Sequence, residues 1–296
     1  RGNPASRDCL DYATDAGVAR ALRRMCDGID VEVDASYFEA TLDSGYELFV
    51  ARPPASPDGH LVVLRQPYRE RVSLNGLVRR GTISRGMATL LGHCMAARAN
   101  LLVTGAVDSG VGELIDALAV AVPKAHRALW LCKPNQLALE GDSAPRLALG
   151  ADVAEQLSAV RAAQRLGVEH LLLPPLRGEP LALVLDGVSD GGSGIVLANR
   201  ADNLSQAIDR MSVDLAMTRG GVAPETARDW LLSSFDLALE VTRLRDGRPR
   251  VARLAELRSG HASPMRDIFT FAFHRMAAGG SIEGTFYASG SVPRIV

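Results

Sequence analysis

The sequence predicts an α/β protein whose larger part is a mostly parallel sheet with helices on both faces, preceded by a small α+β domain. In the larger part, short apolar strands alternate with segments of helical periodicity, a pattern typical of a parallel sheet covered by helices. In the first part, a single helical segment is followed by alternating, strand-like segments. The predicted domains are residues 1–66 and 76–296, joined by a linker at 67–75.

The small domain is predicted to contain one helix followed by strands. Apolar residues at helical spacing predict the helix at 8–27. The period then changes to two, which is typical of strands that are buried on one face. These strands are predicted at 29–33, 38–42, 46–51 and 60–66.

The larger domain is predicted to alternate between helices and strands and to end in a hairpin. Its predicted helices are 73–79, 85–99, 113–122, 151–166 and 181–188. Its predicted strands are 100–105, 127–132, 170–173, 195–198, 237–244, 248–257, 268–273 and 284–288. Asp246-Gly247 between two of these strands is a strong signal for a tight hairpin turn.

Composition and charge exclude several classes of function. Of the 296 residues 47% are hydrophobic and 23% are charged, which is ordinary for a folded domain. The 33 basic and 34 acidic residues nearly cancel, so charge gives no reason to expect nucleic acid as a partner. Cysteines stand only at Cys9, Cys26, Cys94 and Cys132. Because none forms a C-x-x-C pair, we predict neither a disulfide framework nor a metal site.

No apolar run approaches the roughly 20 residues that cross a bilayer, and no signal-peptide pattern is present. We therefore expect a cytoplasmic protein. Because the chain begins at Arg1 rather than Met, we also expect it to be part of a longer protein.

One loop carries a motif with a chemical meaning. A phosphate-binding loop has the form G-x-x-x-x-G-K-[S/T] between a strand and a helix; its N–H groups surround phosphates, its Lys neutralises their charge and its hydroxyl holds Mg²⁺. With 28 glycines this spacing also arises by chance, and the local sequence favours an ordinary strand–helix turn over a nucleotide loop. The loop here reads Gly105-Ala106-Val107-Asp108-Ser109-Gly110-Val111-Gly112.

Longer segments resemble the type II and type IV secretion-system ATPases, and most of all their tight-adherence pilus branch. Residues 65–105 resemble the segment before the family's phosphate loop, and 166–178 (LGVEHLLLPPLRG) is similar to its R-P-D-R-I-I-V-G-E-V-R-G. Residues 189–199 (SDGGSGIVLAN) resemble H-D-G-S-L-S-T-I-H-A-N, and 265–273 (MRDIFTFAF) resembles L-Q-D-I-F-x-F. The resemblance covers nearly the whole chain in order, and it implies a RecA-like P-loop core.

The chain departs from the family pattern where the family has its catalytic residues. Val111 and Gly112 replace the Lys and Thr of the phosphate loop, and Pro175 replaces the Glu that positions the attacking water. The family's acidic pair corresponds to Cys132 and Lys133, and its two His correspond to Ser189 and Leu197. The retained positions are Gly105, Ser109, Gly110, Arg177, Gly178, Asp190, Gly191 and Asn199. Of these, Arg177 is the candidate for a contact with a phosphate or a neighbouring subunit, although a surface ion pair or a capping role is the more common one for such a residue.

These departures imply a catalytically degenerate secretion or pilus ATPase. Phosphoryl transfer depends on fixed positive charge and a positioned water, and Asp108 and Glu113 instead add negative charge beside the loop. We therefore predict no catalytic residue, no cofactor and no bound Mg²⁺. The vestigial phosphate loop allows only weak binding of ATP or ADP. It consists of Gly105, Asp108, Ser109, Gly110, Val111 and Gly112.

The resemblance also implies partners and leaves two alternatives open. The implied partners are copies of this chain or an active ATPase paralogue in a hexameric ring, together with platform proteins at the inner membrane. One alternative is an active ATPase in which Lys133 or Lys124 supplies the missing charge. The other is a module on the same fold that binds a different ligand or a partner.

Overall fold

The computed structural model describes residues 15–42, 44, 46–65, 72–132, 144–192, 194–261, 263–277 and 279–295. The chain divides into two compact units, whose described residues fall within 1–70 and 71–296. Among these residues, no helix combines the length and the apolar character needed to traverse a bilayer.

The small unit is one helix and a three-stranded antiparallel sheet. Helix α1 (Asp15–Met25) packs on one face of the sheet, whose strands are β1 (Tyr37–Thr41), β2 (Glu47–Ala51) and β3 (Leu61–Arg65) in the order β1-β2-β3. Buried side chains from the helix and two strands form its core: Leu22, Cys26, Phe38, Ala40, Leu48 and Val50. The last three predicted strands of this part are thereby confirmed, and so is the predicted helix from Asp15 onward, since 8–14 lie outside the described residues.

The predicted strand at 29–33 is wrong. Its apolar side chains do pack against the small core, which accounts for the alternating pattern. The backbone, however, turns instead of extending: the Val31 N–H donates to the Ile29 carbonyl at 2.9 Å, and the Ala35 N–H donates to the Glu32 carbonyl at 3.1 Å. Successive turns can bury every second side chain without a partner strand.

The larger unit is built on a nine-stranded sheet in the order β12-β11-β10-β9-β4-β8-β7-β5-β6. Strands β4 to β9 pair in parallel, and β10 to β12 continue the sheet in antiparallel pairing. The parallel strands are β4 (Leu101–Gly105), β5 (Ala128–Cys132), β6 (Arg146–Ala148), β7 (His170–Leu173), β8 (Gly194–Asn199) and β9 (Leu237–Arg243). The antiparallel strands are β10 (Pro249–Leu257), β11 (Met265–Met276) and β12 (Ile282–Ala288).

Helices cover both faces of this sheet, as predicted. On β4, Leu101 and Val103 belong to one buried cluster and Leu102 to the other, so the strand is apolar on both sides. The first cluster lies with α2 (Leu74–Arg79), α3 (Arg85–Ala96) and α4 (Val111–Val120). The second lies with α5 (Val153–Arg165), α6 (Gly178–Ser189), α7 (Leu204–Arg219) and α8 (Pro224–Ser234). Strand β6 and helices α7 and α8 were not predicted.

The predicted linker at 67–75 lies mostly outside the described residues. Of its described part, Val72 and Leu74 are buried in the core of the larger unit, and Leu74 begins α2. The Ser73 hydroxyl accepts from the Gly76 N–H at 3.1 Å, so a proper N-cap starts this helix.

Parallel strands place their carboxyl ends at one edge of the sheet. At this edge lie the loop after β4, the segment containing Arg177 after β7, Asn199 at the end of β8 and Arg243 at the end of β9. In an open α/β sheet, ligands bind in this region. This edge is therefore the place of the candidate site.

The opposite edge holds a pair of histidines, of which one is buried. His170 begins β7 and is 1% exposed, and its Nε2 lies 3.0 Å from Nδ1 of His126. Burial lowers the pKa of His170 from 6.5 to about 4, and repulsion from His126 adds to this effect. His170 is therefore neutral in the folded protein at pH values where the unfolded chain is already protonated.

This pair predicts a pH-dependent stability. As pH falls from 6.5 towards 4, His170 takes up a proton in the unfolded chain but not in the folded protein. The free energy of unfolding therefore falls by up to about 3 kcal/mol. His170→Gln should remove this part of the pH dependence, and His93→Gln, on an exposed side chain, should keep it. Urea unfolding at pH 7, 6 and 5 measures the difference. Equal pH slopes for the wild type and His170→Gln would contradict the assignment.

Candidate functional site

The candidate site is the loop that joins β4 to α4. Strand β4 ends at Gly105 and α4 begins at Val111, so the predicted strand–loop–helix order is confirmed. Within the loop the Ser109 N–H donates to the Ala106 carbonyl at 3.1 Å. Asp108 and Gly110 both have positive φ values, of 61° and 104°. The chain thus reverses direction within five residues.

Two glycines are required by the packing of this loop. A Cβ on Gly105 would collide with the Ser109 hydroxyl and would lie 2.5 Å from the Val241 carbonyl on β9. A Cβ on Gly110 would lie 2.6 Å from the Cβ of Pro249, in addition to the strain of its positive φ. The glycine spacing seen in the sequence therefore reflects a real steric constraint.

Gly112 is under no such constraint. It is exposed in the first turn of α4, and a Cβ there would meet nothing within 4 Å. A Ser or Thr would fit at this position. The absence of a hydroxyl therefore has no explanation in packing.

Two side chains of the loop turn inward. Val111 is partly buried and packs on the core under α4. Ser109 is 2% exposed, and its Oγ has no hydrogen-bond partner among the described residues. Because this Oγ lies against Gly105, it is turned towards the end of the strand. Neither side chain brings positive charge to the loop.

Arginines lie beside both acidic residues that were expected to add negative charge at the loop. Glu113, in the first turn of α4, lies 3.6 Å from the Arg80 guanidinium. At Asp108 it is the main-chain carbonyl that meets an arginine, because Arg243 donates to it from Nε. Electrostatic repulsion alone therefore does not exclude an anion from this loop.

Arg243 is the functional candidate that the sequence analysis missed. It ends β9, the strand next to β4, and its Nη1 also donates to the Gly247 carbonyl in the β9–β10 turn. The signal available in the sequence was the basic hairpin itself. Its arginines are Arg243, Arg245, Arg248 and Arg250.

Arg177 lies at the same sheet edge but not in the loop. It is the exposed N-cap residue of α6, and its side chain makes no hydrogen bond or ion pair with any described residue. Its strand, β7, is separated from β4 by β8, which is about 10 Å at ordinary strand spacing. The backbone after it is fixed, since the Gly178 N–H donates to the Asp214 carboxylate at 2.7 Å.

The remaining predicted positions lie at separate places in the sheet and its helices. Pro175 is exposed after β7, at the sheet edge that carries the loop, and Cys132 is buried at the end of β5. Leu197 is fully buried in the second core cluster, and Ser189 ends α6 at the opposite edge. Lys133 lies outside the described residues.

The loop fits a phosphate only in part and does not fit Mg²⁺. Gly110 caps α4 without a side chain, so the first N–H groups of this ten-residue helix have no side-chain acceptor at the cap. Mg²⁺ requires oxygen ligands, whereas Gly112 offers none from its side chain and the Ser109 hydroxyl is buried under the loop. Across the described residues, no group of three or more His, Cys, Asp or Glu could hold a metal.

Comparison with known proteins agrees with this fold. No protein-family model matches the chain. A protein of Mycobacterium tuberculosis named for conjugal transfer is 24% identical over 276 residues, which cover 87% of this chain and 76% of that protein.

Two solved structures, an ATPase and a pilus motor, superpose on the chain at low sequence identity. DotB from Yersinia pseudotuberculosis has a TM-score of 0.59 at 11% identity, covering 82% of this chain and 68% of its own. The pilus retraction motor PilT, solved with bound ADP, has a TM-score of 0.56 at 16% identity, covering 76% of this chain and 64% of its own. The chain therefore has the RecA-like α/β fold of secretion and pilus ATPases.

The glycines of the loop allow a matched test of its packing. Gly110→Ala introduces a Cβ against Pro249 at a positive φ, and we expect it to lower the free energy of unfolding by about 2–4 kcal/mol. Gly112→Ala has open space in a helix, and we expect a gain of about 0.5 kcal/mol. Urea denaturation of both variants measures the contrast. Equal effects would mean that the hairpin does not pack under Gly110.

Proposed function

We propose that this chain is a structural or regulatory subunit of a secretion, pilus or DNA-transfer machine that retains the ATPase fold but does not hydrolyse ATP. One observation carries the proposal. The loop keeps the two glycines that its backbone requires, while Val111 and Gly112 supply neither a cation nor a metal ligand. The loop thus keeps its backbone shape but lacks the cation and the metal ligand that phosphoryl transfer uses.

The missing groups are those on which phosphoryl transfer depends. Its transition state is stabilised almost entirely by positioned positive charge and by a held water. Removing one preorganised electrostatic contact typically costs on the order of 10²–10³ in rate. Here the loop cation, the metal hydroxyl and the carboxylate expected where Pro175 stands are absent together. Such losses are not additive, but among the described residues no group near the loop replaces all three.

The comparisons support the setting of this role. The superposed proteins include a pilus retraction motor and DotB, and the relative in sequence is named for conjugal transfer. A subunit with this fold would assemble with its own copies or with an active paralogue, in the cytoplasm at the inner-membrane platform of such a machine. Arg177 is exposed at the same sheet edge as the loop, and we assign it to an inter-subunit or phosphate contact.

An active ATPase with unusual residues is the second candidate. Lys124 does not support it, because this residue follows α4 at the far edge of the sheet, beyond a helix of 10 residues or about 15 Å. Arg243 is the observation in its favour, since its guanidinium reaches the loop. Lys133→Ala tests the other lysine, because loss of nucleotide binding is expected only if this lysine serves the site.

A binding module for another ligand is the third candidate. The N-terminus of α4 favours an anion without requiring hydrolysis, and Gly112 leaves open space beside it. Calorimetric titration with ATP, ADP and cyclic dinucleotides distinguishes this candidate. Saturable binding of a ligand other than ATP would favour it.

Phosphate release tests the proposed function directly. We expect the wild-type protein with Mg-ATP to release no phosphate above the rate of a buffer control, alone or as an oligomer. Steady turnover abolished by Gly110→Ala or Arg177→Ala, in variants that remain folded, would overturn the proposal.

A gain-of-function variant tests why activity is absent. The pair Val111→Lys and Gly112→Thr restores the loop cation and the metal hydroxyl, and Gly112 has room for the new side chain. We expect nucleotide affinity to rise at least about tenfold with Mg²⁺, with turnover still absent because no carboxylate replaces Pro175. Gly112→Ala is the matched control and should leave the affinity unchanged. No gain in the pair would mean that the loop backbone is not shaped for phosphate.

A further inference from the structure

The loop after β4 is held from outside by one arginine. Arg243 donates from Nε to the Asp108 carbonyl at the top of the loop, and from Nη1 to the Gly247 carbonyl in the β9–β10 turn. Two different nitrogens of one planar group therefore join two backbone segments that are 135 and 4 residues from Arg243 in sequence. A guanidinium carries five N–H donors in a fixed geometry, so such a bridge is specific to arginine.

The bridge acts at the strained part of the loop. Asp108 has a φ of 61°, which is uncommon for a residue with a side chain, and Gly110 follows with a φ of 104°. Such a conformation persists only where its surroundings fix it. The contacts that fix it include the Ser109 N–H bond to the Ala106 carbonyl and the Leu114 N–H bond to the Gly110 carbonyl. The hairpin adds two more, because Pro249 packs beside Gly110 and Arg243 binds the Asp108 carbonyl.

The bridge also leaves the anion-binding side of the loop unused. Arg243 binds carbonyl oxygens, whereas a phosphate would bind the N–H groups at the start of α4.

The hairpin end of the bridge is itself anchored, because Asp246 accepts from the Ile282 N–H at 3.1 Å and from the Arg248 N–H at 3.0 Å. The arginine thus connects the loop to a hairpin that is tied to β12.

We propose that Arg243 is a positioning residue that holds the loop of residues 106–110 in its folded shape without any bound phosphate. In this role it couples the loop to the β9–β10 hairpin, so that the two segments open together. The role concerns the loop backbone and does not depend on whether the chain hydrolyses nucleotide.

Hydrogen–deuterium exchange of the intact protein, without nucleotide, tests this role. In Arg243→Ala we expect exchange about tenfold faster in peptides covering 105–112 and 244–248, the scale of one lost charge-assisted bond, with exchange in the core strands unchanged. Arg245→Ala is the matched control, since Arg245 is exposed on the same hairpin and makes no hydrogen bond or ion pair with any described residue. Its exchange should match the wild type. Arg243→Lys, whose ammonium cannot bridge both carbonyls, should restore protection only in part.

Each other outcome counts against the proposal. Unchanged exchange at 105–112 in Arg243→Ala would show that the bridge does not hold the loop. Equal acceleration in Arg245→Ala would assign the effect to charge on the hairpin. Acceleration that spreads to β4 and β8, with a lower urea midpoint, would show general destabilisation rather than local positioning.

Discussion

The tight turn between β4 and α4 depends on two positions that carry no side chain. Gly105 lets the strand end pass close to the Val241 carbonyl of β9, and Gly110 lets α4 begin directly beside Pro249 of β10. Any larger residue at either position would push the loop away from the neighbouring strands. The rest of the site follows from this constraint, because it sets the direction of α4, brings the loop top within reach of Arg243 and buries the Ser109 hydroxyl.

In the same loop, the backbone shape does not depend on the side chains that would bind a phosphate. Its backbone is determined by sterics and by the hairpin, and neither requires a lysine or a threonine at the start of α4. Fixed charge is what a triphosphate needs, and here the arginines near the loop bind a carbonyl and a carboxylate of the protein itself. The loop can therefore keep its backbone shape while the arginines beside it are engaged by other groups of the protein. The retained helix N-terminus still favours an anion, but without a loop cation and metal this preference is weak.

Much of the fold could be predicted from the sequence because its buried strands are short, apolar on both faces and separated by clear turn residues. Strand 170–173 and the hairpin at Asp246-Gly247 are examples in which local sequence and tertiary context agree. Helix α7 was missed although Leu204, Ile208 and Leu215 follow a helical period, and Asn203 caps it by accepting from the Gln206 N–H. The strand–loop–helix order around the glycines was predicted correctly. The contact of Arg243 was not, since pairing of β9 with β4 joins residues far apart in sequence.

The most direct test of the central claim is a titration with a fluorescent ATP analogue, with and without Mg²⁺. We attribute nucleotide binding to the amides of α4 alone, and this attribution predicts no saturation below the millimolar range and no effect of Mg²⁺. Micromolar binding that strengthens with Mg²⁺ would contradict it, because such binding requires a cation and a metal ligand that Val111 and Gly112 do not supply.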